Sequence, residues 1–150
     1  MKYSLCFLLL CFVGYAQQPL VPEGTNVWLT DYKEALKTAK KDSKNVLVYF
    51  TGSDWCPPCR LLKKDLFDTG VFHTISKEYV LLYVDMPRKK GILTEQQMAH
   101  NKALLSSLNK KGVFPLLKIL DPQGKILDEM SGYAGYGKVS KHLDLLERYR

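Results

Sequence analysis

The sequence predicts an α/β fold, a three-layer sandwich with a central mixed β-sheet and helices on both faces. Three observations carry this expectation. Short apolar runs alternate along the chain with amphipathic stretches of helical period. The run Asn45-Val-Leu-Val-Tyr-Phe50 is apolar at almost every position, as a strand covered on both faces must be. The last two strand-like runs are joined only by Asp121-Pro-Gln-Gly124, a tight-turn sequence that makes them an antiparallel hairpin. At 150 residues the chain suits one domain, spanning residues 27–150, and is too short for two independent cores.

Taken in order, Asp31 followed by Glu34 is a capping pair, and Tyr32, Ala35, Leu36 and Ala39 then share one helical face with lysines on the other. The Asn45–Phe50 strand leads into a short loop and a helix over Arg60–Leu66. A second helical stretch, Val71–Tyr79, precedes an apolar strand, Val80–Val84. Asp85–Thr94 reads as a loop carrying Arg88-Lys89-Lys90, a run expected to be a solvated surface. Glu95–Leu108 is amphipathic, with Met98, Ala103, Leu104, Leu105 and Leu108 as its inner side. Leu116–Leu120 and Lys125–Met130 are the hairpin strands. Val139, Leu143, Leu146 and Tyr149 mark a closing helix. Strands separated by helices are expected to pair parallel, with the hairpin adding an antiparallel edge.

The first segment stands apart. Lys2, the apolar run Leu5–Val13 and small residues at Gly14 and Ala16 form the pattern of a secretory signal peptide, residues 1–16. The apolar run is well short of the ~20 residues that span a bilayer. Neither Cys6 nor Cys11 follows a small residue, which disfavours lipid attachment. Residues 17–26, with Pro19, Pro22 and Gly24, are an irregular lead-in. Removal of the signal leaves Cys56 and Cys59 as the only cysteines of an exported chain, periplasmic or secreted. A lone pair two residues apart does not staple distant loops; it is a redox device or part of a metal site.

Charge and composition narrow the alternatives. With 46% hydrophobic and 25% charged residues the chain is an ordinary globular one, which excludes disorder and coiled coil. The net charge of +7 lies mainly on outer helix faces, without the interleaved aromatics that stack bases, so no nucleic acid is expected. Zinc would need two further ligands, and His73, His100 and His142 are scattered; no metal is expected, and each histidine reads as a surface or boundary residue. Gly132-Tyr-Ala-Gly-Tyr-Gly137 lacks dinucleotide spacing and reads as a flexible connection beside the active site, with Tyr133 and Tyr136 available to a partner.

The chemistry concentrates in Ser53-Asp-Trp-Cys56-Pro-Pro-Cys59-Arg60, between a buried strand and a helix. Two intervening residues at a first helical turn bring two sulfurs within bonding range. They also put Cys56 at the helix N-terminus, where free N–H groups and the dipole favour a thiolate. Cys56 is then the nucleophile and Cys59, one turn in and more buried, resolves the mixed disulfide. Pro57 removes one N–H that could point at the Cys56 sulfur, leaving Cys59 as the nearest donor. Trp55, directly before an exposed cysteine, is a contact platform with large apolar area.

Strand–Trp-Cys-x-x-Cys–helix resembles the thioredoxin superfamily over most of Val27–Arg150. Val113-Phe114-Pro115, just before the strand at Leu116, is similar to that family's cis-proline loop. Thr51-Gly-Ser-Asp-Trp resembles exported bacterial thioredoxin-like proteins and the thioredoxin-like domains of membrane-linked disulfide reductases. The resemblance implies a thioredoxin-like fold and a thiol–disulfide oxidoreductase acting on protein thiols and disulfides. It implies substrate contacts from Trp55, Pro57, Pro58, Phe114 and Pro115, and no cofactor beyond the redox-active Cys56–Cys59 disulfide. An upstream electron donor, such as a membrane disulfide reductase, completes turnover, and a monomer is expected. Three departures qualify it. The family's buried acid falls at Tyr49, its helix-kinking proline falls at Lys64, and its Gly-Pro dipeptide is Pro57-Pro58. Fewer donors to the Cys56 thiolate favour a reductase or isomerase over a strong oxidant, while Arg60 acts the other way if it nears the sulfur. Two alternatives stand beside this reading: a non-catalytic binding module on the same fold, and a dedicated thiol reductase for cytochrome c maturation.

Overall fold

The structure, a computed structural model, describes residues 26–150. The expected signal segment and all of the lead-in except Asn26 lie outside the described residues. The elements in order are β1 (Trp28–Leu29), α1 (Tyr32–Asp42), β2 (Asn45–Thr51), α2 (Pro57–Leu62) with a π-helical turn directly after it (Lys63–Phe67), and α3 (Gly70–Ser76). They continue as β3 (Tyr79–Asp85), α4 (Glu95–Leu108), β4 (Leu116–Leu120), β5 (Ile126–Ser131) and α5 (Ser140–Arg148). The sheet order is β1-β3-β2-β4-β5. β1, β3 and β2 are mutually parallel; β4 runs against β2, and β5 against β4.

The period-2 alternation of buried strands builds two cores. Leu47, Tyr49, Leu81, Leu117 and Ile119 point to the face covered by α2, α3 and α5, where Leu62, Leu66, Phe72, Ile75, Leu145 and Leu146 meet them. Val46, Val48, Phe50, Leu82, Val84 and Leu120 point to the other face, against Ala35 and Ala39 of α1 and Leu104 of α4. Each large side chain buried this way contributes about 1.5–3 kcal/mol. A one-residue slip of β2 would therefore exchange its contacts on both faces at once, and the register is fixed. Asp31 caps α1 as its spacing predicts: its carboxylate accepts the Glu34 N–H at 2.8 Å.

Four expectations are corrected. Helix-separated strands pair parallel for β2 and β3 but not for β4, although α4 lies between β3 and β4. The segment after α4 returns to the end of the sheet that the chain left at Asp85, so β4 must run against β2. On α4 the inner side includes Asn101, while Ala103 is exposed; the Asn101 amide donates to the Asp85 carbonyl at 2.7 Å, which gives a polar side chain a reason to face inward. The second helical stretch ends at Ser76, because Tyr79 already pairs with Asn45 in the sheet and donates its hydroxyl to the Leu146 carbonyl at 2.6 Å. His142 is not a surface histidine: it is 5% exposed on the inner side of α5, edge-on to Tyr133.

Candidate active site: a cysteine pair at a helix start

The sheet register brings four segments to one end. Thr51 pairs with Asp85, Phe50 with Leu116, and Leu116 with Ser131. The chain leaving β2, β3 and β5 therefore meets the chain entering β4. The first of these segments carries the cysteines, the last carries Phe114 and Pro115.

Cys56 is the N-cap of α2, in extended conformation, and prolines fill the first two helical positions. Neither proline can donate an N–H. Cys59 is the first donor of the helix, and its N–H points to the Cys56 sulfur at 3.3 Å, as the sequence predicts. The two sulfurs are joined in a disulfide, with the Cα atoms 5.3 Å apart. Cys56 is 2% and Cys59 1% exposed, so in the oxidised protein the expected exposed cysteine is covered. Trp55 and Phe114, edge-on with ring centres 5.3 Å apart, pack against the cluster that holds both sulfurs.

Under the pair lies Tyr49, at the position of the family's buried acid. Its hydroxyl donates to the Cys59 carbonyl at 3.0 Å. Burial first, then the charge of Asp85, pushes its pKa up to about 12, the Thr51 side chain offsetting only part. A phenol so held is neutral at physiological pH and takes no proton from Cys59. Trp28, Phe67 and Tyr83 ring it at centroid distances of 6.0, 4.6 and 5.8 Å. A hollow of about 650 Å³ reaches this aromatic cluster, but neither cysteine lines it, and the chemistry is not there. The π-helical turn covers Lys64, where the family's kinking proline would fall, so the motif helix is irregular at that place without a proline.

The loop before Cys56 is stitched to the loop after β3. Asp85 accepts the Ser53 N–H at 2.9 Å and its hydroxyl at 2.6 Å. The Trp55 indole N–H donates to the Met86 carbonyl at 2.7 Å. Asp54 accepts the backbone N–H groups of Arg88 and Lys89 at 3.0 and 2.9 Å. Partial burial works against the Asp54 charge, yet these donors and the Lys89 cation hold its carboxyl below the usual range. The Arg88 guanidinium lies over the Trp55 ring, 4.2 Å from its centre. The basic run is thus not simply a solvated loop: its first member is mounted on Trp55, the residue before Cys56. On the other flank, Tyr133 donates to Asp65 at 2.6 Å, and the Gly137 N–H reaches the same carboxylate at 3.2 Å. The Gly132 N–H donates to the Pro115 carbonyl at 2.8 Å, which places the glycine-rich connection beside the site.

The structure thus gathers Cys56, Cys59, Trp55 and Phe114 in one cluster, with Pro115 buried after a cis Phe114–Pro115 bond. Pro57 is exposed and Pro58 half-buried at the helix start. Sequence reasoning missed Gly52, Asp54, Asp85 and Arg88. Only the adjacency of Asp54 to the motif hinted at them, since its partners lie 34 and 35 residues away.

A strand-ended Cys-x-x-Cys pair on a mixed sheet defines a thiol–disulfide oxidoreductase. Residues 32–147 match the thioredoxin-like domain family, and the chain belongs to it. It is 32% identical over 122 residues to the disulfide bond reductase DsbH of Chlamydia pneumoniae, covering 81% of this chain and 72% of that protein. A solved DsbH oxidoreductase superposes with a TM-score of 0.68 at 30% identity, covering 89% of this chain and 94% of that one. A thioredoxin from Thermus thermophilus shares the fold, with a TM-score of 0.59 at 18% identity over 83% of this chain and 87% of that one.

Proposed function

We propose that this protein is an exported reductase of protein disulfides, working in the direction named for its chlamydial relative. In the reduced form the Cys56 thiolate attacks one sulfur of a client disulfide, forming a mixed disulfide and releasing the first client thiolate. Cys59 then attacks the Cys56 sulfur, the second client thiol departs, and Cys56–Cys59 is left oxidised. Two electrons have passed to the client, and an outside dithiol donor, such as a membrane disulfide reductase, must return them. Trp55, Pro57, Pro58, Phe114 and Pro115 border the path a client takes to Cys56.

The observation that carries the direction is the single backbone donor at the Cys56 sulfur. With N–H groups missing at Pro57 and Pro58, the thiolate receives one first-turn hydrogen bond, from Cys59. A bond to a charged group contributes about 1.5–3 kcal/mol, so each missing donor leaves the reduced form less favoured and the couple more reducing.

Two measurements test this. Equilibration against a dithiol buffer should place the couple nearer the thioredoxin value of about −270 mV than the DsbA value of about −120 mV. A potential near the second value overturns the reductase direction. The Cys59→Ser variant should accumulate mixed disulfides on Cys56 in the exporting cell; absence of adducts, with no insulin reduction above free dithiol, identifies a binding module instead.

A further inference from the structure

The loop after β3 places three consecutive cations, Arg88, Lys89 and Lys90, at the end of the sheet that carries the disulfide. The placement is built rather than incidental. Asp54 takes the backbone N–H groups of Arg88 and Lys89, Trp55 takes the Met86 carbonyl, and the Arg88 guanidinium rests on the Trp55 ring. Two carboxylates lie beside this run: Asp54, which accepts those two N–H groups and offsets part of the Lys89 charge, and Asp85, which is buried and bound by Ser53. Neither forms an ion pair with the three side chains among the described residues, and all three are exposed. Trp55, expected to be the platform that meets a client, instead carries a cation on its ring. An exposed, positively charged rim therefore lies beside the indole that precedes Cys56.

We propose that this rim selects disulfides flanked by acidic side chains, with Arg88 the main determinant and Lys89 and Lys90 adding long-range attraction. The proposal rests on the reductase reading above. The physical basis is a charge fixed within one side chain's length of the reacting sulfur's neighbour. At physiological ionic strength the screening length is about 8 Å, so charges on residues beside a client cysteine are felt and more distant ones are not. Cation–carboxylate attraction at such a rim acts mainly on encounter rate and on choice of partner.

The test uses the pre-reduced full chain in single turnover against two synthetic peptides of equal length. Each holds one internal disulfide; one flanks its cysteines with Asp and Glu, the other with Lys. Protein thiols are oxidised to Cys56–Cys59 as the peptide disulfide becomes two thiols, so the indole fluorescence or liberated peptide thiol reports the rate. The expected result is an acidic-over-basic rate ratio of about ten at low salt, falling toward one in ~1 M salt where the screening length is about 3 Å. Arg88→Gln with Lys89→Gln and Lys90→Gln should collapse that ratio. Neutralising Lys37, Lys40 and Lys41, exposed on α1 and therefore near the start of β2 at the sheet's other end, should leave the ratio in place. Equal rates for both peptides in the parent protein, or an equal loss of ratio in the α1 variant, overturn the rim and leave the reductase reading standing. Reduction of neither peptide overturns both.

Discussion

Gly52 is the residue on which the Trp55 ring is seated, and Gly52→Ala is the perturbation that shows it. A Cβ at this position would lie 2.3 Å from Trp55 Cε2, 2.5 Å from Nε1 and 2.6 Å from Cζ2. Carbon atoms attract at about 3.5–4.0 Å and repel steeply below that, so the indole must retreat by roughly 1 Å or more. The ring cannot do so freely: its N–H is bound to the Met86 carbonyl at 2.7 Å, Phe114 closes one edge, and Arg88 lies over it. Overpacking of this kind costs about 1–3 kcal/mol and the lost hydrogen bond about 1 kcal/mol more. Gly52 is not in the left-handed region, so the whole effect is steric. For a domain of this size about 1 kcal/mol moves the midpoint by roughly 3–5 °C, so Gly52→Ala should lower the Tm of the oxidised protein by about 10 °C. Thermal unfolding followed by circular dichroism reads the shift, and tryptophan fluorescence reads the displaced ring. In a Trp55→Ala background the same substitution should cost less than about 1 kcal/mol, because the obstructing ring is gone. A change of under 2 °C in the parent background, or an equal loss in both backgrounds, would falsify the idea that the Trp55 ring is seated on Gly52.

Three further outcomes follow from buried polar groups. Among the described residues neither buried ring nitrogen of His142 makes a hydrogen bond of good geometry, and burial lowers its pKa, a looser approach of the Gly132 backbone offsetting only part. The unfolded chain protonates it near pH 6.5 while the folded one resists, so stability present above that pH is lost as pH falls; His142→Phe should gain about 1 kcal/mol at pH 7 and flatten the decline below pH 6.5 in urea titrations. Lys118 is buried with its Nζ 2.6 Å from Glu129, whereas Lys63 and Asp68 pair in solvent. Glu129→Gln should therefore cost about 1–2 kcal/mol in chemical unfolding and Asp68→Asn under about 1 kcal/mol; the reverse order refutes the burial argument. Tyr49→Phe removes the donor to the Cys59 carbonyl and should cost about 1 kcal/mol at pH 7. Because the folded pKa of Tyr49 lies above its unfolded value near 10, its contribution is full below pH 10 and fades as pH rises toward 12, so the variant should also show a shallower alkaline decline over that window.

Most of this architecture was legible because it depends on local pattern. The near-continuous apolar run at Asn45–Phe50 and the Asp31 cap are short-range signals, and both elements stand where those signals put them. The cysteine pair was legible for the same reason, since its spacing between a buried strand and a helix predicts a first-turn geometry. The direction of β4 was not, because nothing between Leu108 and Leu116 says to which end of the sheet the chain returns. Nor was the seat of Trp55: the contacts of Asp54 with Arg88 and of the indole with the Met86 carbonyl join segments that only the parallel pairing of β2 and β3 brings together. His142 was misjudged because the closing helix was read from its apolar residues alone, and a neutral imidazole can occupy an inner position beside Tyr133.

The phenol beneath the cysteines bears on what the reaction needs. In the proposed cycle, resolution converts a Cys59 thiol and a mixed disulfide on Cys56 into the Cys56–Cys59 disulfide and a free client thiol. One proton leaves Cys59 and one arrives at the departing sulfur, so the step is proton-neutral overall and calls for no resident base if the leaving thiolate takes the proton. Tyr49, with its pKa near 12 and its hydroxyl committed to the Cys59 carbonyl, neither supplies nor removes that proton at neutral pH. It does hold the carbonyl of the residue whose N–H faces the Cys56 sulfur. In the oxidised protein the two ends of Cys59 are thereby pinned, its carbonyl by an aromatic hydroxyl and its N–H by the Cys56 sulfur, and both contacts hold the first turn of α2. A carboxylate at position 49 would add a charge beside Tyr83, Phe67 and Trp28, where burial already drives a phenol's pKa upward. The neutral hydroxyl gives the same positioning without that cost.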